Sequence, residues 1–183
     1  FPKYCFQNMT VGSDKIDDVI KDKRIKAVTL TGSKPAGSAV ASTAGSEIKK
    51  SVLELGGSNA LVVFENADLE SALDTCIQAR FQNTGQSCIA GKRLLLQENI
   101  AEEFTKKYVE KVKELKSGDP MHKDTFIGTM ARVDLAEDLE KQIRASVDAG
   151  AKILIGGERD GAYMQPTVLD HVTKEMTMFK EET

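Results

Sequence analysis

The sequence predicts an α/β protein assembled from parallel βαβ units, on three observations. Apolar runs of strand length occur at residues 27–30, 52–55, 60–64 and 94–96. Segments among and after them repeat their apolar residues at helical spacing, as in Ile100, Phe104, Tyr108, Val112 and Leu115. The run Ala27-Val28-Thr29-Leu30 passes straight into Thr31-Gly32-Ser33-Lys34-Pro35-Ala36-Gly37, the composition of a strand-to-helix turn. Strands that alternate with helices are joined by crossovers, and crossovers leave neighbouring strands parallel.

Taken in order, residues 4–9 form a short mixed apolar run closed by Gly12 and read as a strand. Ser13 is placed to cap a short helix whose apolar residues are Ile16, Val19 and Ile20. Residues 27–30 have the pattern of a buried strand. Pro35 suits the first turn of the helix that follows to about Ala44, because its missing N–H has no intrahelical partner there. Asp68 caps a helix with Leu69, Ala72, Leu73, Cys76 and Ile77 on one face. The helix of Ile100 to Leu115 is expected to stop at Gly118, and a further one carrying Ala136, Leu139, Ile143 and Val147 at Gly150. Lys152-Ile153-Leu154-Ile155 reads as a strand ended by Gly156-Gly157, and residues 163–169 as extended, with Pro166 favouring a sheet edge. The pair Gly56-Gly57 is placed to serve as a hinge, dividing residues 1–54 from residues 55–183.

Composition narrows the function. The 183 residues carry 40% hydrophobic and 29% charged side chains and a net charge of -3, ordinary for a globular domain. Lys and Arg are scattered and form no stripe, which argues against a nucleic-acid partner. No apolar stretch approaches membrane-span length and none reads as a signal peptide, so no membrane partner is expected. Three cysteines, Cys5, Cys76 and Cys88, lack framework spacing and imply a reducing, cytoplasmic setting. The chain starts at Phe1 and stops at Glu182-Thr183 without a stop signal, so it reads as an internal piece of a longer protein.

Three segments carry chemistry. A strand entering Gly32-Ser33-x-x-x-Gly37 and then a helix can hold a phosphate, because the helix start offers free N–H groups and a partial positive charge. The segment lacks both the dinucleotide fingerprint and the triphosphate-loop ending, so taken alone it reads first as a plain Ser-capped turn. In Phe81-Gln82-Asn83-Thr84-Gly85-Gln86-Ser87-Cys88 the thiol is flanked by small residues that leave room for a substrate. An unperturbed Cys titrates near ~8.5, and N–H groups of a loop or helix start can favour the thiolate. From the residues alone Cys88 is a nucleophile or a buried structural thiol, while Cys76 on its apolar helix face and Cys5 in its strand-like run read as structural. Glu54 stands between Leu53 and Leu55; partial burial there would raise its pKa and suit it to act as a base, whereas an edge strand would turn it to solvent. His122 and His171 stand alone without ligand spacing, so no metal site is expected.

Together, Val28-Thr29-Leu30-Thr31-Gly32-Ser33-x-x-x-Gly37, Leu53-Glu54-Leu55-Gly56-Gly57-Ser58-Asn59-Ala60 and Asn83-Thr84-Gly85-Gln86-Ser87-Cys88 resemble the aldehyde dehydrogenase superfamily, in order and spacing, over the whole chain. Pro166-Thr167-Val168-Leu169 and Phe179-Lys180-Glu181-Glu182-Thr183 also resemble family segments. The text around Gly57-Ser58 and Phe81-Gln82-Asn83 is most similar to bacterial NAD(P)-dependent succinate-semialdehyde dehydrogenases. The resemblance implies the end of a Rossmann-like NAD(P)-binding domain over residues 1–54 and the first half of an α/β catalytic domain over residues 55–183.

It also implies roles. Cys88 would attack an aldehyde, its backbone N–H and an Asn upstream of residue 1 would hold the oxyanion, and Glu54 would activate water against the thioester. Gly32, Ser33 and Gly37 would face the pyrophosphate of NAD or NADP, Leu55 the nicotinamide end, and Glu182 the nicotinamide-side ribose. The full-length protein would be a homodimer or homotetramer acting on a small aldehyde, and the piece alone would be inactive. Two departures matter. Gln82 stands where some succinate-semialdehyde branches carry an Arg for the substrate carboxylate, and Ala90 stands where some members carry a second, redox-switching Cys. A cysteine acyl-transfer enzyme without redox chemistry and a non-catalytic interaction remnant remain the competing classes.

Overall fold

The computed structural model describes residues 1–183, which divide into two compact units, Phe1–Gly56 and Gly57–Thr183. The first unit carries α1 (Ile16–Lys21), β1 (Ala27–Gly32), α2 (Lys34–Ser46) and β2 (Lys50–Leu55). β1 and β2 pair in parallel, with Leu30 opposite Leu53 and Thr31 opposite Glu54, and α2 is the crossover. Along both strands burial alternates, so Val28, Leu30, Leu53 and Leu55 lie on the covered face. Ile20, Val40 and Ala44 from α1 and α2 pack on Val28, Leu30 and Leu53 as a small core. The buried strand expected at residues 27–30 is therefore covered on one face by this unit, because it supplies helices to that face only.

Two expectations fail in this unit. Residues 4–9 form no strand; Tyr4, Phe6 and Met9 are exposed and the segment closes only a turn, Cys5 N–H to the Pro2 carbonyl. An apolar run becomes a strand only where another backbone completes its ladder. Ser13 makes no capping bond, because it lies inside a 3-10 turn, Ser13–Lys15, that leads into α1. The other end of α1 is closed instead by Lys49, whose ammonium donates to the carbonyls of Ile20 and Asp22. A cation there also complements the negative end of the helix dipole.

The second unit begins with β3 (Asn59–Val63), α3 (Leu69–Phe81), β4 (Gly91–Leu96) and α4 (Glu98–Lys113). It continues through α5 (Val133–Asp148), β5 (Lys152–Ile155), β6 (Arg159–Asp160), β7 (Tyr163–Met164), β8 (Val168–Asp170) and α6 (Thr177–Lys180). β3 and β4 pair in parallel with Leu61 opposite Leu94, and α3 is their crossover. Asp68 caps α3 by accepting the N–H groups of Glu70 and Ser71. β5 pairs antiparallel with β8, and β6 with β7. The extended stretch at residues 163–169 thus becomes two short strands separated by Pro166.

The core of this unit joins Leu73, Cys76, Ile77 and Phe81 of α3 to Ile100, Phe104, Tyr108 and Val112 of α4. α4 ends at Lys113, five residues before Gly118. The chain leaves the helix early because the Lys116 carbonyl accepts the N–H groups of Phe126 and Ile127, and Gly118 N–H returns to the Ile127 carbonyl. Gly156 follows β5 at φ 78°, where a Cβ would stand 2.2 Å from the Pro166 carbonyl oxygen, so only glycine fits that turn. No helix is long and apolar enough to cross a membrane.

Candidate functional site

In the first unit, Gly32 ends β1 and Ser33 opens α2. The Ser33 hydroxyl accepts the Ala36 N–H at 3.4 Å, a long capping bond. No acidic residue lies in the first turn, which instead carries Lys34 and Pro35. Gly37 faces inward: a Cβ on it would stand 2.7 Å from Leu55 Cδ2, so these two residues set how closely α2 approaches β2. Glu54 lies on the exposed face of β2, beside Val52 and Lys50 at alternate positions. Of the two readings of Glu54, the solvent-facing one holds in this unit, because period-two alternation puts Leu53 and Leu55 against α2 and turns Glu54 outward.

In the second unit, Cys88 is exposed, while Cys76 is buried at 3% exposure and its thiol is pushed up by desolvation. Cys5 is exposed as well, so the structural role expected for it does not hold; it lies in the unpaired segment. Cys88 follows a turn with three consecutive left-handed residues, Asn83 (φ 57°), Thr84 (φ 57°) and Gly85 (φ 74°). Two of these are not glycine, and such conformations cost of order 1–3 kcal/mol each unless their surroundings enforce them.

Here the surroundings do so. Asn83 Nδ2 donates to the Gln86 carbonyl at 3.0 Å, and Thr84 Oγ1 accepts the Gly128 N–H at 3.1 Å. Gln86 Oε1 accepts the Ala131 N–H at 2.9 Å, and Arg80 Nη1 donates to the Gly85 carbonyl at 3.2 Å. Thus the polar residues of Asn83-Thr84-Gly85-Gln86 brace the turn rather than line a surface. Beyond it, the Ser87 carbonyl accepts the Ala90 N–H at 3.0 Å, and no protein group accepts the Cys88 N–H.

The residue that sequence reasoning missed is Lys92. Its side chain is 1% exposed, and its ammonium donates to the carbonyls of Gly57 at 2.7 Å and Ser87 at 2.9 Å and to Glu182 Oε1 at 2.8 Å. Three donors meet three acceptors, the arrangement that lets a buried charge persist. The Cys88 carbonyl lies further out, at 3.4 Å. Arg80 makes a parallel tie, from Gly85 to the Thr183 hydroxyl at 3.4 Å. Two cations therefore fasten residues 182–183 to the segment that carries Cys88. The available signal was a Lys at the buried start of an apolar strand, Gly91-Lys92-Arg93-Leu94-Leu95. His122 and His171 are exposed.

Fold and site together define an α/β protein, with parallel β1–β2 and β3–β4 pairs, that carries a free thiol on a braced polar turn. The chain belongs to the aldehyde dehydrogenase family, whose model matches residues 1–183. It is 45% identical over 184 residues to the NAD(P)+ succinate semialdehyde dehydrogenase Sad of Escherichia coli, covering 99% of this chain and 40% of that protein. It is 42% identical over 185 residues to the NADP(+) succinate-semialdehyde dehydrogenase of Mycobacterium leprae, covering 100% of this chain and 40% of that one. Among solved structures, a salicylaldehyde dehydrogenase from Pseudomonas putida complexed with salicylaldehyde superimposes with a TM-score of 0.89 at 37% identity, over 93% of this chain and 36% of that one. A succinate-semialdehyde dehydrogenase from Burkholderia pseudomallei gives 0.89 at 28% identity, over 94% and 37%. The chain spans about two fifths of the length of the curated relatives it matches.

Proposed function

We propose that this chain is the part of an NAD(P)-dependent aldehyde dehydrogenase that holds the nucleophile, the hydrolytic base and part of the cofactor site, with succinate semialdehyde as substrate. Residues 1–54 belong to the cofactor-binding domain and residues 55–183 to the catalytic domain. The observation that carries the reading is the exposed Cys88 directly after a turn braced by four hydrogen bonds, its own N–H left without an acceptor. The names of the relatives support the substrate and both nucleotides.

The residues fit a dinucleotide. The start of α2 offers backbone N–H groups with no acidic side chain in the first turn, which suits a pyrophosphate. Gly32 and Ser33 form the approach, while Gly37 and Leu55 keep the helix seated on its strand; Leu55 would meet the nicotinamide end. Glu182 keeps Oε2 free when Oε1 is taken by Lys92, so it can accept a ribose hydroxyl. A bound nicotinamide supplies one chemical capacity, acceptance of the aldehyde hydrogen with its electron pair.

This chain's own groups do the rest. The Cys88 sulfur adds to the aldehyde carbon as the C=O π bond breaks, and the oxygen takes up negative charge beside the Cys88 N–H. Loss of the hydrogen with its electron pair leaves a thioester on Cys88. Glu54 takes a proton from water, the hydroxyl adds to the thioester, and the acid departs as the thiol is restored. Exposure on β2 gives Glu54 the access to water that this step needs.

The test is an aldehyde panel on the full-length protein with NAD+ and NADP+ in parallel. Succinate semialdehyde should give reduced nicotinamide; Cys88→Ser should abolish it; Glu54→Gln should leave one equivalent formed per site and then stop. Acyl transfer without reduced nicotinamide would establish the non-redox class. Failure of neutral-pH alkylation to favour Cys88 over Cys5 and Cys76 would point to a non-catalytic remnant. The 183-residue chain alone should show no steady turnover.

A further inference from the structure

We propose that Lys92 is a positioning residue that serves two functional groups at once, the oxyanion-binding N–H of Cys88 and the ribose-binding carboxylate of Glu182. The inference rests on the functional reading above and adds to it a residue that touches neither substrate nor cofactor.

The first arm follows from peptide geometry. The Ser87 carbonyl and the Cys88 N–H belong to one peptide unit, and in a planar trans peptide they point in opposite directions. Lys92 Nζ holds that carbonyl at 2.9 Å, and the Ala90 N–H holds it at 3.0 Å. With the carbonyl fixed from one side, the Cys88 N–H is fixed pointing away from Lys92. A positive charge on the carbonyl also draws electron density along the peptide, making the N–H a stronger donor. That N–H has no acceptor within the protein, so it stands free for an oxygen that gains charge during addition.

The second arm is the 2.8 Å ion pair with Glu182 Oε1. The Lys92 side chain is 1% exposed and that of Glu182 43%, so the carboxylate is held by a buried cation while it keeps access to solvent. The third bond, to the Gly57 carbonyl at 2.7 Å, anchors the ammonium to the backbone just before β3 and limits its freedom to follow either arm.

The experiment uses the full-length protein and Lys92→Met, which keeps the stem and removes the charge. Calorimetry measures NAD+ and NADP+ binding. NMR of carbon-labelled succinate semialdehyde, without nucleotide, measures the thiohemiacetal at Cys88, in which a C–S bond forms and the thiol proton ends on the aldehyde oxygen. Iodoacetamide labelling of Cys88 reports the thiol itself. In the folded variant both affinities should fall ~tenfold, the worth of one good hydrogen bond on each arm, while Cys88 labelling stays within about twofold of the parent.

Unchanged affinities in a folded Lys92→Met, or a loss that follows the labelling rate, overturn the inference while leaving the functional reading intact. If Lys92→Met does not fold, Lys92→Arg decides. It keeps the charge but cannot place the same three donors on the same three acceptors, so nucleotide binding and thiohemiacetal formation should again both weaken while Cys88 labelling stays within about twofold. Unchanged binding, or a loss that follows the labelling rate, overturns the two-arm assignment. A parent protein that binds no nucleotide and adds no aldehyde defeats the functional reading, and this inference with it.

Discussion

Replacing Thr84 by alanine deletes the oxygen that accepts the Gly128 N–H at 3.1 Å. Gly128 is buried, so water cannot readily substitute. A buried N–H left without an acceptor costs ~1–3 kcal/mol. The comparison must remove a second effect, since Thr84 sits at φ 57°, where a branched side chain is disfavoured and its loss is favourable. Thr84→Ser provides the match: serine and alanine both lack the γ-methyl, and only alanine lacks the acceptor. The alanine variant should therefore be less stable than the serine variant by about 1–2 kcal/mol, a difference of about 2–8 °C in Tm for a chain of this size. Urea unfolding followed by circular dichroism measures the difference. Amide exchange should show Gly128 opening faster in the alanine variant alone. If the two variants agree within about 0.3 kcal/mol, the Thr84–Gly128 bond contributes nothing net and the account of how the strained turn is held is wrong.

Three other perturbations are expected to be as readable. Gly91→Ala places a Cβ 2.2 Å from Leu61 Cγ across the β3–β4 pair, an overpacking of about 1–3 kcal/mol; Leu61→Ala in the same chain should recover part of that loss, and strict additivity in the double mutant would argue against the clash. Ile48, which follows α2 at φ 53° and is 92% exposed, should become a stabilising site as glycine, by roughly 1 kcal/mol; a fall in Tm would contradict the strain. The Asp22 carboxyl is held well below the usual carboxylate range, chiefly by hydrogen bonds from the Arg24 guanidinium and the Arg24 N–H. Its folded value is depressed, so its contribution to stability is present above the ordinary Asp range near ~3.9 and is lost as pH falls through the folded value. Carboxyl NMR titration should find Asp22 ionised after ordinary Asp residues have protonated, and Arg24→Ala should bring it part of the way back, since the backbone N–H at position 24 still donates to it.

Much of the molecule was legible because its signals are local. Ser33 with Pro35, and Asp68 ahead of Leu69, announce α2 and α3 through caps that involve only their own first turns. Ile100, Phe104, Tyr108 and Val112 announce α4 by spacing alone. Two of the errors fall where a long-range partner decides, and a third is local. Residues 4–9 have strand composition but no second backbone to pair with. Gly118 has the composition of a helix stop, yet the helix is drawn off earlier by Ile127 and Phe126. Ser13 could cap, but the 3-10 turn takes its place.

The sequence by itself determined the βαβ order and the Gly-Ser junction before α2, since each depends on neighbours within a few residues, and it singled out Cys88 through three motifs taken together. Only the tertiary structure decided that Glu54 faces outward from β2, that Gly37 is spent on contact with Leu55, and that Lys92 binds Gly57, Ser87 and Glu182 together. The physical reason is reach. A buried ammonium must find three acceptors wherever the fold brings them, and here they come from positions 35 residues before it, 5 before it and 90 after it. No local pattern encodes such a meeting; the packing of β4 against its neighbours creates it.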